Sequence, residues 1–137
     1  MNEPTVASSS ESGSDLDALL ATKLHVPRSH PGLVPRPRLA EQLDQGLGRG
    51  LILACAPAGY GKTALLADWA RRGRLPVAWL SLDTADNDPA RFWRYVVAAL
   101  DRACPGTSER VGPLLGPPAP PSFERLLEAL INELAAR

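Results

Sequence analysis

The segment Ala56-Pro57-Ala58-Gly59-Tyr60-Gly61-Lys62-Thr63 brings together the residue types that hold phosphate. A triphosphate spreads its charge over several oxygens. Backbone N–H groups converging from a loop between a strand and a helix answer that charge, and the positive end of the helix dipole adds to them. Gly59 and Gly61 open backbone conformations that a Cβ disfavours and let the chain approach the oxygens closely. Lys62 supplies a mobile cation for the β- and γ-phosphates, and Thr63 a hydroxyl for a Mg²⁺ ion that keeps most of its waters. The first position of this pattern is ordinarily glycine; Ala56 stands there instead, which a negative φ permits. The ligand implied is a purine nucleotide, ATP or ADP, with Mg²⁺ at Thr63.

A phosphate loop of this kind is carried by a strand before it and a helix after it. Leu51-Ile52-Leu53-Ala54-Cys55-Ala56 is a continuous apolar run, the pattern of a strand buried on both faces. From Lys62 to Arg72 the spacing predicts a helix with Leu65, Leu66 and Trp69 on one face, stopped at Gly73. Residues 76–82 (PVAWLSL) read as a second buried strand. Strand, loop, helix and strand form a βαβ unit with a right-handed crossover. The expected fold class is therefore α/β: a partial P-loop nucleotide-binding fold of one βαβ unit plus flanking helices, with a disordered N-terminal tail.

The flanks divide the chain into three regions. Residues 1–15 are rich in Ser and acid and are expected to be disordered. Residues 16–50 form an extended Pro-rich segment followed by a short helix. Pro37 is placed to open that helix, Leu39, Leu43 and Leu47 to bury it, and Gly46, Gly48 and Gly50 to end it. Residues 51–137 hold the nucleotide-binding part. Within them, Asp88-Pro89 starts a helix over 89–103 with Phe92, Val96, Ala99, Leu100 and Ala103 on its buried face. Residues 104–121, dense in Pro and Gly, are expected to be a long loop. Ser122 caps a last helix with an apolar stripe of Phe123, Leu126, Leu127, Leu130, Ile131 and Leu134.

Composition excludes several function classes. Net charge is zero, from 15 basic and 15 acidic residues among 137, so no strongly basic face for nucleic acid is expected. Cys55 and Cys104 lack CxxC spacing, and with His25 and His30 they form no zinc pattern; they read as reduced thiols packed as small apolar residues. The N-terminus carries no signal-peptide pattern, and the apolar stretch Leu51–Ala58 is too short to span a bilayer. A cytoplasmic location without a membrane partner is expected. Asp83, Asp86 and Asp88 lack calcium-loop spacing and read as a solvated loop with one helix cap. Trp69, Trp79, Phe92, Trp93 and Tyr95 read as packing groups.

The strings ATKLHVPRSHPGLVPRPRL, LILACAPAGYGKTALLADW, PVAWLSLDTADNDPARFWRYVVAAL and LLEALINELA resemble, in this order, the start of LuxR-type large ATP-binding transcription regulators. These are signal-transduction ATPases with numerous domains. The resemblance implies an ATP/ADP switch in a bacterial regulator that self-associates when ATP-bound and contacts DNA through a C-terminal helix-turn-helix lying outside this chain. It also implies that Leu33-Val34-Pro35-Arg36 matches the segment that packs near adenine in the family. In the family the Mg²⁺-organising carboxylates come from a strand after a helix like 122–136, so Asp83 is not their counterpart. The chain reads as truncated before that Walker B strand, poorly stable by itself, and without ATP turnover. Two other readings stand beside this one: a small autonomous P-loop kinase or ATPase, and an interaction fragment that binds no nucleotide.

Overall fold

The computed structural model describes residues 19–28, 32, 34–73, 75–116 and 122–136. The tail expected over 1–15 lies outside them, as does Leu33 of the segment expected near adenine.

Two groups of helices organise the described residues. The first is α1 (Pro37–Gly46) with α2 (Lys62–Arg71). Pro37 opens α1 as expected, because its missing N–H falls where a helix needs none. The helix tightens into a 3-10 turn at Leu47–Arg49 and ends at Gly50, whose φ of 73° favours glycine. Ala40, Leu43 and Ala67 are buried between the two helices, and Trp69 Nε1 donates to Asp44 Oδ1 at 2.8 Å. Gly73, at φ 70°, turns the chain away after α2.

The second group is α3 (Pro89–Ala103), α4 (Thr107–Val111) and α5 (Phe123–Ala135). Asp88 caps α3 by accepting the N–H of Arg91 at 2.7 Å, with Pro89 in the first turn, as the sequence predicts. Val97, Val111, Leu115, Leu126 and Leu130 form the core, with Trp93, Leu100 and Ala129 against it. Among the described residues no helix of one group packs on a helix of the other.

The α/β expectation is overturned: the described residues contain helices and extended connectors but no strand and no sheet. Residues 51–56 carry no regular secondary structure and join no ladder, and Leu51 and Leu53 are 82% and 80% exposed. Ile52, 42% exposed, lies against the end of α1, where a Cβ on Gly46 would stand 2.6 Å from its Cδ1. The second run is half-buried at Val77, Trp79, Leu80 and Ser81 but likewise forms no strand. It makes one bond to the N-terminal segment, Ser81 N–H to the Lys23 carbonyl at 2.9 Å, and Leu82 is 57% exposed. The physical reason is that an apolar run states a need for burial, whereas a strand exists only through a ladder to a neighbour. Two short segments are too few for a stable sheet.

Three smaller expectations also change. Residues 104–121 are not all loop: α4 and a 3-10 turn at Gly112–Leu115 lie within them, and 117–121 fall outside the described residues. Gly106, at φ 91°, reverses the chain and Pro113 sits in a first turn, so these residues mark element ends rather than forbid elements. Tyr95, Val97 and Ala99 are the buried residues of α3, while Phe92 and Val96 are half-buried. That helix is covered from two sides, by α4 with its following turn and by the 3-10 turns Ala21–Leu24 and Thr84–Asn87, so a single stripe misreads it. Of the α5 stripe, Leu126 and Leu130 are buried, whereas Phe123, Leu127, Ile131 and Leu134 stay exposed because α5 is covered on one side.

Candidate functional site

The residues expected to hold phosphate lie in one continuous loop running into α2. Ala56 to Tyr60 are exposed, Gly61 and Lys62 half-buried, and the Thr63 side chain is open to solvent. Gly59 and Gly61 both adopt left-handed backbone, at φ 83° and 77°, a geometry that tolerates glycine best. Tyr60 N–H turns back to the Pro57 carbonyl at 3.5 Å. Gly61 is the N-cap of α2, and its carbonyl accepts the first helical bond, from Leu65 N–H at 2.9 Å. No side chain caps this end, so the N–H groups of the first turn remain available to an acceptor.

Two cations hold the loop through its carbonyl oxygens. Lys62 Nζ donates to Ala56 O at 2.6 Å and to Pro57 O at 2.9 Å. Arg36 NH1 donates to Tyr60 O at 3.0 Å. The uncapped helix end leaves a solvent-open position beside Gly61 and Lys62 whose dipole favours an anion, while the two cations engage the loop's carbonyls. Among the described residues no cluster of three His, Cys, Asp or Glu is arranged for a metal. A Mg²⁺ ion here would rest on the Thr63 hydroxyl, the phosphates and water, a donor set suited to that cation. A cleft of about 650 Å³ bordered by Leu47, Trp69, Ala70, Leu75 and Val77 involves none of the loop residues. Cys55 is exposed in the approach to the loop, contrary to the packed thiol expected, and Cys104 is half-buried.

A second polar cluster was not expected from the sequence. Asp86, expected to be solvated, is buried, and its Oδ2 accepts from Lys23 Nζ at 2.5 Å. Lys23 also meets Asp83 Oδ2 at 2.8 Å and lies 5.1 Å from the centre of the Tyr95 ring. Arg91 Nε approaches Asp86 Oδ1 at 3.3 Å. Asp83 and Asp86 form a reciprocal capping box on the 3-10 turn Thr84–Asn87. The hydrogen bond from Lys23 holds both carboxyls below their usual range, reinforced by backbone N–H groups of Ala85 for Asp83 and of Asp83 for Asp86. Burial opposes the charge on Lys23, but its bonds to Asp83 and Asp86 outweigh it and raise its pKa. The Leu20 N–H donates to the Tyr95 hydroxyl at 3.1 Å, and His25 Nε2 meets Arg102 NH2 at 2.7 Å. Together these contacts fasten residues 20–25 to α3 and the turn before it. The Asp-x-x-Asp spacing signals the capping box, but nothing local points to its partner Lys23, some sixty residues earlier.

No family model and no solved structure matches the chain. Curated relatives do. The chain is 41% identical over 88 residues to the HTH-type transcriptional regulator MalT of Cronobacter sakazakii, and 43% identical over 88 residues to MalT of Serratia proteamaculans. It is 40% identical over 85 residues to MalT of Klebsiella pneumoniae. These alignments cover 62–64% of this chain and about a tenth of each relative. The resemblance to LuxR-type large ATP-binding regulators is thereby borne out as homology over that stretch. No described helix is long and apolar enough to cross a membrane.

Proposed function

We propose that residues 56–63 bind the phosphates of a purine nucleotide, ATP or ADP with Mg²⁺, and that this binding acts as a switch within a transcription regulator. The observation that carries the reading is the uncapped start of α2. Gly61, in left-handed conformation, leaves the first-turn N–H groups without a side-chain acceptor, and Lys62 stands at the same place. Homology to regulators of the MalT type supports the regulatory half of the proposal. Within this reading, DNA contact belongs to a helix-turn-helix elsewhere in such a regulator, since the balanced charge here offers no basic face. Self-association belongs to the nucleotide-loaded regulator as a whole.

In the chain's own residues, binding requires one rearrangement. Lys62 must leave the carbonyls of Ala56 and Pro57 to reach a phosphate oxygen, exchanging neutral acceptors for a charged one. Thr63 would offer its hydroxyl to a Mg²⁺ ion, whose charge would offset that of the phosphates when bound. The test is a titration of fluorescent ADP into the wild-type chain and Lys62→Ala. Affinity should fall by roughly 10- to 100-fold in the variant, the worth of one charge-assisted bond. Equal affinities would remove the assignment.

A further inference from the structure

We propose that Arg36 is a positioning residue for the phosphate loop: by gripping the Tyr60 carbonyl it fixes the direction of the Tyr60–Gly61 peptide and so aims the Gly61 N–H at the anion. This rests on the phosphate reading above and adds a residue outside the loop to it.

A trans peptide is planar, with its C=O and N–H antiparallel. Arg36 NH1 lies 3.0 Å from Tyr60 O, so the Gly61 N–H is directed away from the guanidinium. By the same geometry, the hold of Lys62 on the Pro57 carbonyl directs the Ala58 N–H away from the ammonium. The loop's carbonyls face its two cations, and the donors following them face elsewhere. Glycine endangers that arrangement. Gly61 accepts either sign of φ, so residue 61 itself sets little resistance to a flip of the 60–61 peptide. A flip would turn the Gly61 N–H toward the guanidinium, whose NH2 already lies 3.6 Å from where a Gly61 Cβ would stand. The guanidinium has five N–H donors and no acceptor, so the flipped peptide would meet donor with donor. Arg36 therefore excludes the alternative that Gly61 leaves open.

Arg36 is itself well anchored for this task. It is the N-cap residue of α1, its carbonyl accepts the N–H groups of Leu39 and Ala40 at 3.1 Å each, and Pro35 and Pro37 flank it. The backbone that carries the guanidinium is thus fixed by α1, which packs on α2. The grip on Tyr60 closes a ring from α1 to the loop, through α2 and back to α1.

The sequence supplies a selective probe, because Tyr60-Gly61 is its one Tyr-Gly pair. Labelling the 137-residue chain with ¹³C-carbonyl tyrosine and ¹⁵N glycine gives a single correlation, from the Tyr60 carbonyl to the Gly61 amide. In nucleotide-free wild type one sharp signal is expected. In Arg36→Ala it should shift or split as the peptide samples both orientations, with the thermal midpoint unchanged. Affinity for ADP should fall about fivefold, the worth of one solvent-exposed hydrogen bond. Arg36→Lys, which keeps a donor of similar reach, should restore part of both signals if the alanine variant proves unstable. A Tyr60–Gly61 signal indifferent to both substitutions overturns the role of Arg36, even if nucleotide affinity falls. That outcome would mean a direct charge contact instead. Wild type that binds no ADP, while the signal still responds to Arg36→Ala, overturns the proposed function and with it the anion as the object of this positioning.

Discussion

The α3–α5 end of the molecule and the α1–loop–α2 end solve the problem of staying folded in opposite ways. At the first, five residues from α3, α4, the 3-10 turn after it and α5 meet in a dry core, and Leu126 and Val97 are fully buried. At the second, every residue from Leu51 to Tyr60 is exposed, and what holds the loop is a handful of polar bonds from Lys62 and Arg36 to backbone oxygens. The contrast follows from what each material does well. Apolar burial is non-directional and stabilises any arrangement that excludes water. Hydrogen bonds to carbonyls stabilise little in net terms, but they are directional, so they choose among conformations of similar energy. A loop proposed to receive an anion would be better served by the second kind, since exchangeable bonds would let Lys62 change partners.

Leu126→Ala should produce the largest effect and would break the comparison if it did not. Removing a fully buried leucine at the meeting of α3, α4 and α5 should cost about 2–5 kcal/mol in a denaturant unfolding curve. A loss below about 1 kcal/mol would mean that this end is loosely packed and that the two regions differ less than the structure implies. Lys62→Ala should do the reverse, lowering nucleotide affinity by roughly 10- to 100-fold while leaving the unfolding midpoint in place. A variant that lost both would tie loop and core together.

The buried clasp between the N-terminal segment and α3 sharpens the comparison through pH. Asp83 and Asp86 carry pKa values below normal, chiefly through Lys23, so they bind fewer protons when folded than when unfolded. Their contribution is complete above the unfolded carboxylate range, near pH 4, and is lost as pH falls through the depressed folded values. Lys23, with a raised pKa, behaves oppositely: its share is present below its ordinary value of 10.5 and fades as pH climbs through the folded one. Asp86→Asn should lower stability at neutral pH and flatten the acid limb below about pH 4, measured as denaturant midpoints against pH. An acid limb as steep as that of wild type would show that the clasp does not form.

The smallest expected effect comes from Leu53→Ala. At 80% exposure this leucine should be replaceable within about 0.5 kcal/mol, although the sequence marks it as the middle of a buried strand. A loss comparable to that of Leu126→Ala would put residues 51–56 in a packed environment and abolish the contrast between the two ends.

What the amino-acid order settled by itself was local. Pro37 opening α1, Asp88-Pro89 opening α3, Gly73 ending α2, and the helix beginning at Lys62 all follow from backbone chemistry within a few residues. The composition of 56–63, with glycines where left-handed backbone occurs, was legible for the same reason. Tertiary structure decided the rest, because each remaining question turned on a partner distant in sequence. Residues 51–56 carry the pattern of a buried strand, yet a strand needs a neighbour's ladder, and the run cannot supply one to itself. Lys23 and Asp86 are each unremarkable in their own surroundings and become a buried pair only when the N-terminal segment lies along α3. Arg36 precedes the loop by twenty residues, and only the packing of α1 on α2 brings its guanidinium to the Tyr60 carbonyl. Local preference is fixed by covalent neighbours, whereas pairing, burial and charge complementarity are properties of what the fold places alongside.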